Sequence, residues 1–186
     1  MEDGLKLDSL LITTQPTWIP ETVYSDAESG GIEGWEVFDE VPAGATINNV
    51  SDQERGGRVI QAAGSRTDNG YRLRTNAYSN WANGSQFVIE WSMKYSETFV
   101  VYVEVQTTSG YRYFQYEPIN SDHLGDSSQI RLGLGTGAKD GQWHTFTRNL
   151  QADLTKAQSD ATILQVNAFS VRGSGKIGDV KLRTSY

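Results

Sequence analysis

Three runs in the middle of this chain alternate apolar and polar residues with a period of two, and that period belongs to strands rather than helices. In Phe87-Val88-Ile89-Glu90-Trp91-Ser92-Met93-Lys94-Tyr95 the odd positions are large and apolar. Successive side chains of a strand point to opposite faces, so Glu90, Ser92 and Lys94 share the other face. The run from Phe99 to Gln106 keeps the rule: Val101, Val103 and Val105 point one way, and Tyr102, Glu104 and Gln106 the other. Thr107-Thr108-Ser109-Gly110 reads as a hairpin turn, with Gly110 supplying a positive φ. Pairing across it sets Gln106 near Tyr111 or Tyr113, puts Tyr111, Tyr113 and Gln115 on the polar face, and sends Arg112, Phe114 and Tyr116 to the other. One face is expected to be core. The other is expected to be a shelf of tyrosine, carboxylate, carboxamide and lysine. That mixture suits a sugar, whose ring C–H faces lie on aromatics and whose hydroxyls bond to fixed polar groups. The same alternation also fits any half-exposed antiparallel sheet, in which tyrosine is simply a good strand residue.

At 186 residues the chain is long enough for one well-buried domain, and 19 glycines supply the turns that an all-β fold needs. The net charge is −7, and the lysines and arginines are scattered, which argues against nucleic acid or an anionic membrane surface as partner. No cysteine is present, so disulfides, thiolate metal sites and a cysteine nucleophile are excluded. The opening Met1-Glu2-Asp3-Gly4 lacks the basic and then apolar pattern of a signal peptide, and no apolar run approaches transmembrane length.

The start of the chain resembles its end. Gly4 to Thr14 aligns without gaps on Gly175 to Ser185, matching at glycine, aspartate, leucine and threonine. Residues 1–20 are therefore expected to be the tail strand of a preceding, similar module plus a linker, and residues 21–186 the domain proper. Chance similarity between two short strands is the alternative. Beyond Glu21, short strands recur every 8 to 12 residues between glycine- and serine-rich turns, near Ile47–Val50, Arg58–Ala62, Tyr71–Thr75, Gln129–Leu134, Ile163–Arg172 and Ile177–Arg183. Leu150, Leu154 and Ala157 fall at helical spacing, so one short helix is expected near 150–159. About a dozen strands with so little helix predict an all-β, two-sheet antiparallel sandwich or a barrel.

With these landmarks placed, residues 21–186 resemble the β-jelly-roll carbohydrate-binding modules of secreted bacterial polysaccharide-degrading and cell-surface proteins. The likeness rests on the acidic loop Asp26-Ala27-Glu28-Ser29-Gly30 leading to Gly34-Trp35, on Phe87 to Trp91, on Gly141-Gln142-Trp143-His144-Thr145-Phe146, and on the closing Gly173 to Leu182. The resemblance implies a monomeric, extracellular module that binds a neutral or acidic polysaccharide without catalysis, beside neighbouring modules of the same parent chain. It also implies a structural Ca2+ where the first and last strands meet, held by Asp26, Glu28 and Asp179, although Gly178 stands where the commoner motif has a second aspartate. Modules of this type bind glycans on the concave sheet or in edge loops. The sheet reading selects Glu90, Lys94, Tyr102, Glu104, Gln106, Tyr111, Tyr113, Arg131 and Arg172. The loop reading selects Trp81, which sits among turn residues in Asn80-Trp81-Ala82-Asn83-Gly84. Trp35, Trp91 and Trp143 lie in strand patterns and are expected in the core.

Two other functions compete. A structural or adhesive repeat of a surface protein would account for the duplicated strand. A polysaccharide lyase of jelly-roll type would need a base and a charge-stabilising group, for which Gln129-Ile130-Arg131 is the nearest match, with arginine where the typical histidine stands. Glycoside hydrolysis needs two facing carboxylates, and Glu90 with Glu104 are the obvious pair.

Overall fold

The structure is a computed structural model and describes residues 20–75, 79–125 and 127–186; the expected tail strand at 1–14 lies outside the described residues. The elements in chain order are β1 (Glu21–Ser25), β2 (Trp35–Asp39), β3 (Thr46–Asp52), β4 (Gly57–Ala63), β5 (Gly70–Leu73), β6 (Val88–Lys94), β7 (Val100–Thr107), β8 (Gly110–Glu117), β9 (Gln129–Gly133), β10 (Trp143–Asn149), α1 (Leu150–Ala157), β11 (Ile163–Arg172) and β12 (Gly175–Arg183).

They form two six-stranded sheets. The first runs β10-β6-β12-β4-β3, with β1 also on β12, and the second runs β2-β5-β11-β7-β8-β9. β12 accommodates three partners because β1 takes its C-terminal half, from Glu21 opposite Arg183, while β4 takes its N-terminal end, from Ala62 opposite Gly175. β6 covers its other edge. All pairings are antiparallel except β8 with β9, which run parallel with Tyr113 opposite Gln129 and Gln115 opposite Arg131. The expected all-β sandwich is what the chain forms, and the one α-helix among the described residues lies within the window that leucine spacing indicates.

The apolar parities of the strands meet between the sheets. Ile89, Trp91 and Met93 of β6 face Val101, Val103 and Val105 of β7, Phe114 and Tyr116 of β8, and Phe169 of β11, all at most 1% exposed. Trp91 lies at the centre: its ring is 5.4 Å from Tyr116 and 6.0 Å from Phe169 across the gap, and 5.2 Å from Phe146 in its own sheet. Each such ring or branched chain contributes about 1.5–3 kcal/mol by leaving water. Trp35 and Trp91 are core as expected, whereas Trp143 is only half-buried and lies under the Arg55 guanidinium at 5.2 Å.

The β7–β8 hairpin fixes the registry on which the site depends. Gln106 pairs with Tyr111 and Thr107 with Gly110, whose φ of 95° is open to glycine and strained for other residues. Thr107 Oγ1 donates to the Gly110 carbonyl at 2.7 Å and accepts from Ser109 N at 3.1 Å, closing the turn from inside. α1 starts at Asn149, whose side-chain oxygen accepts from Ala152 N at 2.9 Å, and buries Leu150 and Leu154. Its third inward residue, Asp153, is 3% exposed and is held by the Tyr116 hydroxyl at 2.9 Å and by Arg148 at 2.6 and 2.9 Å.

The polar shelf expected from the sequence divides here. β6 and β7 follow one another in the chain, yet β6 belongs to the first sheet and β7 to the second. Both keep their apolar side inward, so their polar sides face opposite directions across the sandwich.

Candidate functional site

The outer face of the second sheet carries a cleft of about 560 Å3 lined by side chains from β2, β5, β11, β7, β8 and β9. Strand pairing explains who meets whom. Across one row, Gln115 of β8 pairs with Tyr102 of β7, Tyr102 with Ser170 of β11, Ser170 with Arg72 of β5, and Arg72 with Glu36 of β2. In the next row Gln129 pairs with Tyr113, Tyr113 with Glu104, and Glu104 with Ala168. The small residues Ser170 and Ala168 sit between Tyr102 and Glu104 on one side and Arg72 on the other, so the middle of the sheet is low and its flanks are high.

One wall is phenolic. The Tyr111 and Tyr113 rings are 6.0 Å apart and inclined at 43°. The Tyr111 hydroxyl accepts from Asn167 Nδ2 at 2.9 Å and from Asn80 Nδ2 at 3.5 Å. Burial raises the pKa of both Tyr111 and Tyr102, so these phenols stay protonated. The opposite wall is Phe38 with its guanidinium neighbours. Arg72 lies 4.6 Å and Arg172 5.3 Å from the Phe38 ring centre. The ring lies close against Gly70, where an added Cβ would come within 2.4 Å of it. Arg172 is immobilised: it donates to Asp39 Oδ2 at 2.7 Å and to the Thr67 and Asp68 carbonyls at 3.1 and 2.9 Å. That contact holds the Asp39 carboxyl below the usual carboxylate range.

Several polar groups in the cleft have no protein partner. Glu104 forms neither an ion pair nor a hydrogen bond among the described residues, and the same holds for the Arg74 guanidinium. Arg74 Nε, Arg72 Nε and Ser170 Oγ are buried atoms without a hydrogen-bond partner; the nearest carboxylate oxygen to Arg72 Nε is that of Glu36 at 3.8 Å.

Of the sequence-predicted residues, Tyr102, Glu104, Tyr111, Tyr113 and Arg172 line this cleft together. Gln106 and Arg131 share its sheet face but not its lining. Gln106 Nε2 donates to the Thr107 carbonyl at 3.1 Å, and Arg131 forms a fork with Glu117 at 2.7 and 2.8 Å that raises its pKa. Glu90 and Lys94 do not belong to the cleft. They stand on the outer face of the first sheet, where Glu90 accepts from Arg183 and Thr147 at 3.1 and 3.2 Å and Lys94 pairs with Glu54. Trp81 is also corrected: it is 7% exposed and stacks on Tyr24 at 3.7 Å and 12°, as a packing residue and not a displayed loop ring. The sequence reading missed Phe38, Arg72, Arg74, Asn80, Gln129 and Ser170. Arg72 and Arg74 were detectable, because Tyr71-Arg72-Leu73-Arg74 alternates and its odd members are apolar.

The first and last strands do meet, with Ser25 opposite Val180. The carboxylates implied to bind Ca2+ there do not converge. Asp26 Oδ1 accepts from Glu28 N at 3.0 Å, Glu28 Oε1 accepts from Arg58 N at 3.1 Å, and Asp179 pairs with Arg55 at 3.2 Å. No group of three or more His, Cys, Asp or Glu among the described residues could hold a metal ion. The set does not fit a calcium site, which needs six to eight oxygens around one point.

No protein-family model matches the sequence, and no curated protein does either. Solved structures do. The chain is similar to the N-terminal CBM22-1–CBM22-2 tandem domain of Paenibacillus barcinonensis Xyn10C, with a TM-score of 0.52 and 14% identity over 89% of this chain. It spans about half, 51%, of that tandem. Lower TM-scores relate it to a variant of CBM29-2, a family 29 carbohydrate-binding module (0.48, 15% identity, 90% of this chain and 93% of that one). A family 11 module of the cellulosomal cellulase Lic26A-Cel5E of Clostridium thermocellum scores similarly (0.49, 13% identity, 89% and 95%). The fold of this chain is thus the jelly-roll sandwich that carbohydrate-binding modules also adopt.

Proposed function

We propose that this domain binds a polysaccharide or oligosaccharide, without transforming it, in the cleft on the outer face of the second sheet. The observation that carries the reading is the lining itself: Tyr102, Tyr111 and Tyr113 stand beside Arg74 and Glu104, whose charged groups have no protein partner among the described residues. Buried polar atoms are ordinarily satisfied, and leaving one unmade costs about 1–3 kcal/mol. A hydroxyl-rich chain supplies the missing partners while its C–H faces lie on the phenol rings. The fold shared with a CBM22 tandem supports the same reading.

Binding is favoured over catalysis by the chemistry available. Glu104 is the sole carboxylate of the lining among the described residues, and its would-be partner Glu90 lies on the far side of the sandwich, so these two do not form the paired acids of glycoside hydrolysis. A lyase needs a base, and burial raises the pKa of Tyr102 and Tyr111, which leaves less of the phenolate that would take the proton. Arg131, the residue in the lyase histidine's place, is occupied by Glu117. On this reading the domain serves as an accessory module of a larger extracellular protein, beside further modules. A purely structural spacer would have no use for a cleft with unsatisfied donors. Affinity electrophoresis through gels containing a panel of plant, algal and animal polysaccharides tests this. Retardation by at least one of them, abolished in Tyr102→Ala/Tyr113→Ala, is expected; migration unaffected by every polysaccharide would refute it.

A further inference from the structure

Unsatisfied polarity is unevenly spread over this molecule. Seven buried side-chain nitrogen or oxygen atoms lack partners among the described residues, and three of them, Arg72 Nε, Arg74 Nε and Ser170 Oγ, belong to residues that line the cleft. A guanidinium N–H can only donate, so the two arginines require an acceptor, and the hydroxyl can join them.

The three cleft arginines are not equivalent. Arg172 is neutralised by Asp39 at 2.7 Å, and Arg72 has Glu36 at 3.8 Å. Arg74 has no carboxylate within ion-pair distance among the described residues, although it lies near enough to Tyr111 to lower that phenol's pKa against the larger opposing effect of burial. Glu104 acts on the same tyrosine in the opposite sense, yet does not pair with Arg74. Among the described residues the cleft therefore holds one unpaired cation, Arg74, and one unpaired anion, Glu104, both near enough to act on Tyr111. In a protein of net charge −7, with acids available to pair most of its arginines, a partly buried guanidinium left without a counter-ion is costly. The same guanidinium is suited to accept an oxyanion through its planar fork.

We infer that the ligand is an acidic glycan, and that Arg74 takes the oxyanion of one of its sugar units while Glu104 accepts hydroxyl bonds from a neighbouring unit. This rests on the glycan-binding reading above and deepens it. A carboxylate of a uronate unit and a sulfate ester both present oxyanion oxygens to a guanidinium, so the shared chemistry is an oxyanion on a saccharide chain. A cleft of about 560 Å3 has room for a few sugar rings, and Arg74 assigns the charged one to the Tyr111 end.

The test uses the whole chain and isothermal titration calorimetry against glucuronoxylan, polygalacturonate, alginate and chondroitin sulfate. Each uronan is paired with its carboxyl-reduced form, and the sulfated glycan with its desulfated form. Neutral xylan and mixed-linkage β-glucan complete the set. One acidic glycan is expected to lose roughly tenfold or more in affinity when its charge is removed, the worth of one charge-assisted bond. Arg74→Gln should lower affinity for the charged form to that of the neutralised one and leave affinity for the neutralised form unchanged. Arg74→Lys, which keeps the charge without the fork, should fall between them. Carboxyl reduction and desulfation tell which oxyanion is read. Melting curves of both variants verify folding. Equal affinity for charged and neutralised glycans, or charged-glycan binding that Arg74→Gln leaves untouched, overturns the inference while sparing the glycan reading; binding to none of the set overturns both.

Discussion

Tyr113 contributes a phenol ring at the rim, opposite Glu104 in the β7–β8 registry, and Tyr102 contributes one beside Ser170 at the floor. Removing either ring should cost about 1–2 kcal/mol of glycan binding, roughly a tenfold loss in calorimetric affinity, with the melting temperature little changed for Tyr113→Ala. Asp153 is the converse case, a buried carboxylate outside the cleft whose partners Arg148 and Tyr116 depend on it. Asp153→Ala strands the Arg148 charge and should destabilise the fold by about 3–5 kcal/mol, a drop on the order of 10 °C in calorimetric Tm, without altering the site. Asp52 gives the pH dependence. Lys176 at 2.7 Å, together with the Arg55 backbone N–H, lowers its pKa from 3.8 to about 2. A depressed carboxylate stabilises the fold above its unfolded pKa and ceases to do so as pH falls through the folded one. Melting temperature should therefore fall between pH 4 and pH 2, and fall less steeply in Lys176→Met, where the largest cause of the depression is removed.

Strand alternation was legible wherever a strand has one dry side. The parities of β6, β7 and β8 all follow from it, and the hairpin register follows from Gly110. Sheet membership does not follow. The segment Tyr95–Phe99 carries the chain from one sheet to the other, and alternation reads the same on either side of such a crossing, so Glu90 and Lys94 could not be told apart from Tyr102 by period alone. Trp81 illustrates a second limit: turn residues flank it in sequence, but its partner Tyr24 stands 57 positions away by number and can be known only from the folded chain. At the β2–β5 edge, Gly70 lets Phe38 lie low between two guanidiniums. Gly70→Ala should lift that ring, cost about 1–3 kcal/mol of stability by overpacking, and weaken glycan retention, as melting curves and affinity gels would show.

The two outer faces of the sandwich have different electrostatic states. On the first sheet, charges are mutually satisfied: Glu90 with Lys181 and Arg183, Lys94 with Glu54, Lys176 with Asp52, Arg55 with Asp179. On the second, the cleft keeps Arg74 and Glu104 unpaired among the described residues. Substituting Glu90→Gln or Lys94→Ala should change stability by at most about 1 kcal/mol and leave polysaccharide retention unaltered. A chelator should likewise leave the melting curve in place, because Asp26, Glu28 and Asp179 are each engaged elsewhere.

The placement of the indoles has a practical consequence for any optical assay. Trp35, Trp81 and Trp91 are enclosed, and Trp143 lies beneath Arg55 on the sheet opposite the cleft. Occupancy of the cleft will therefore leave emission from these four chromophores nearly silent, and will instead register in near-ultraviolet difference absorbance and circular dichroism from the phenols.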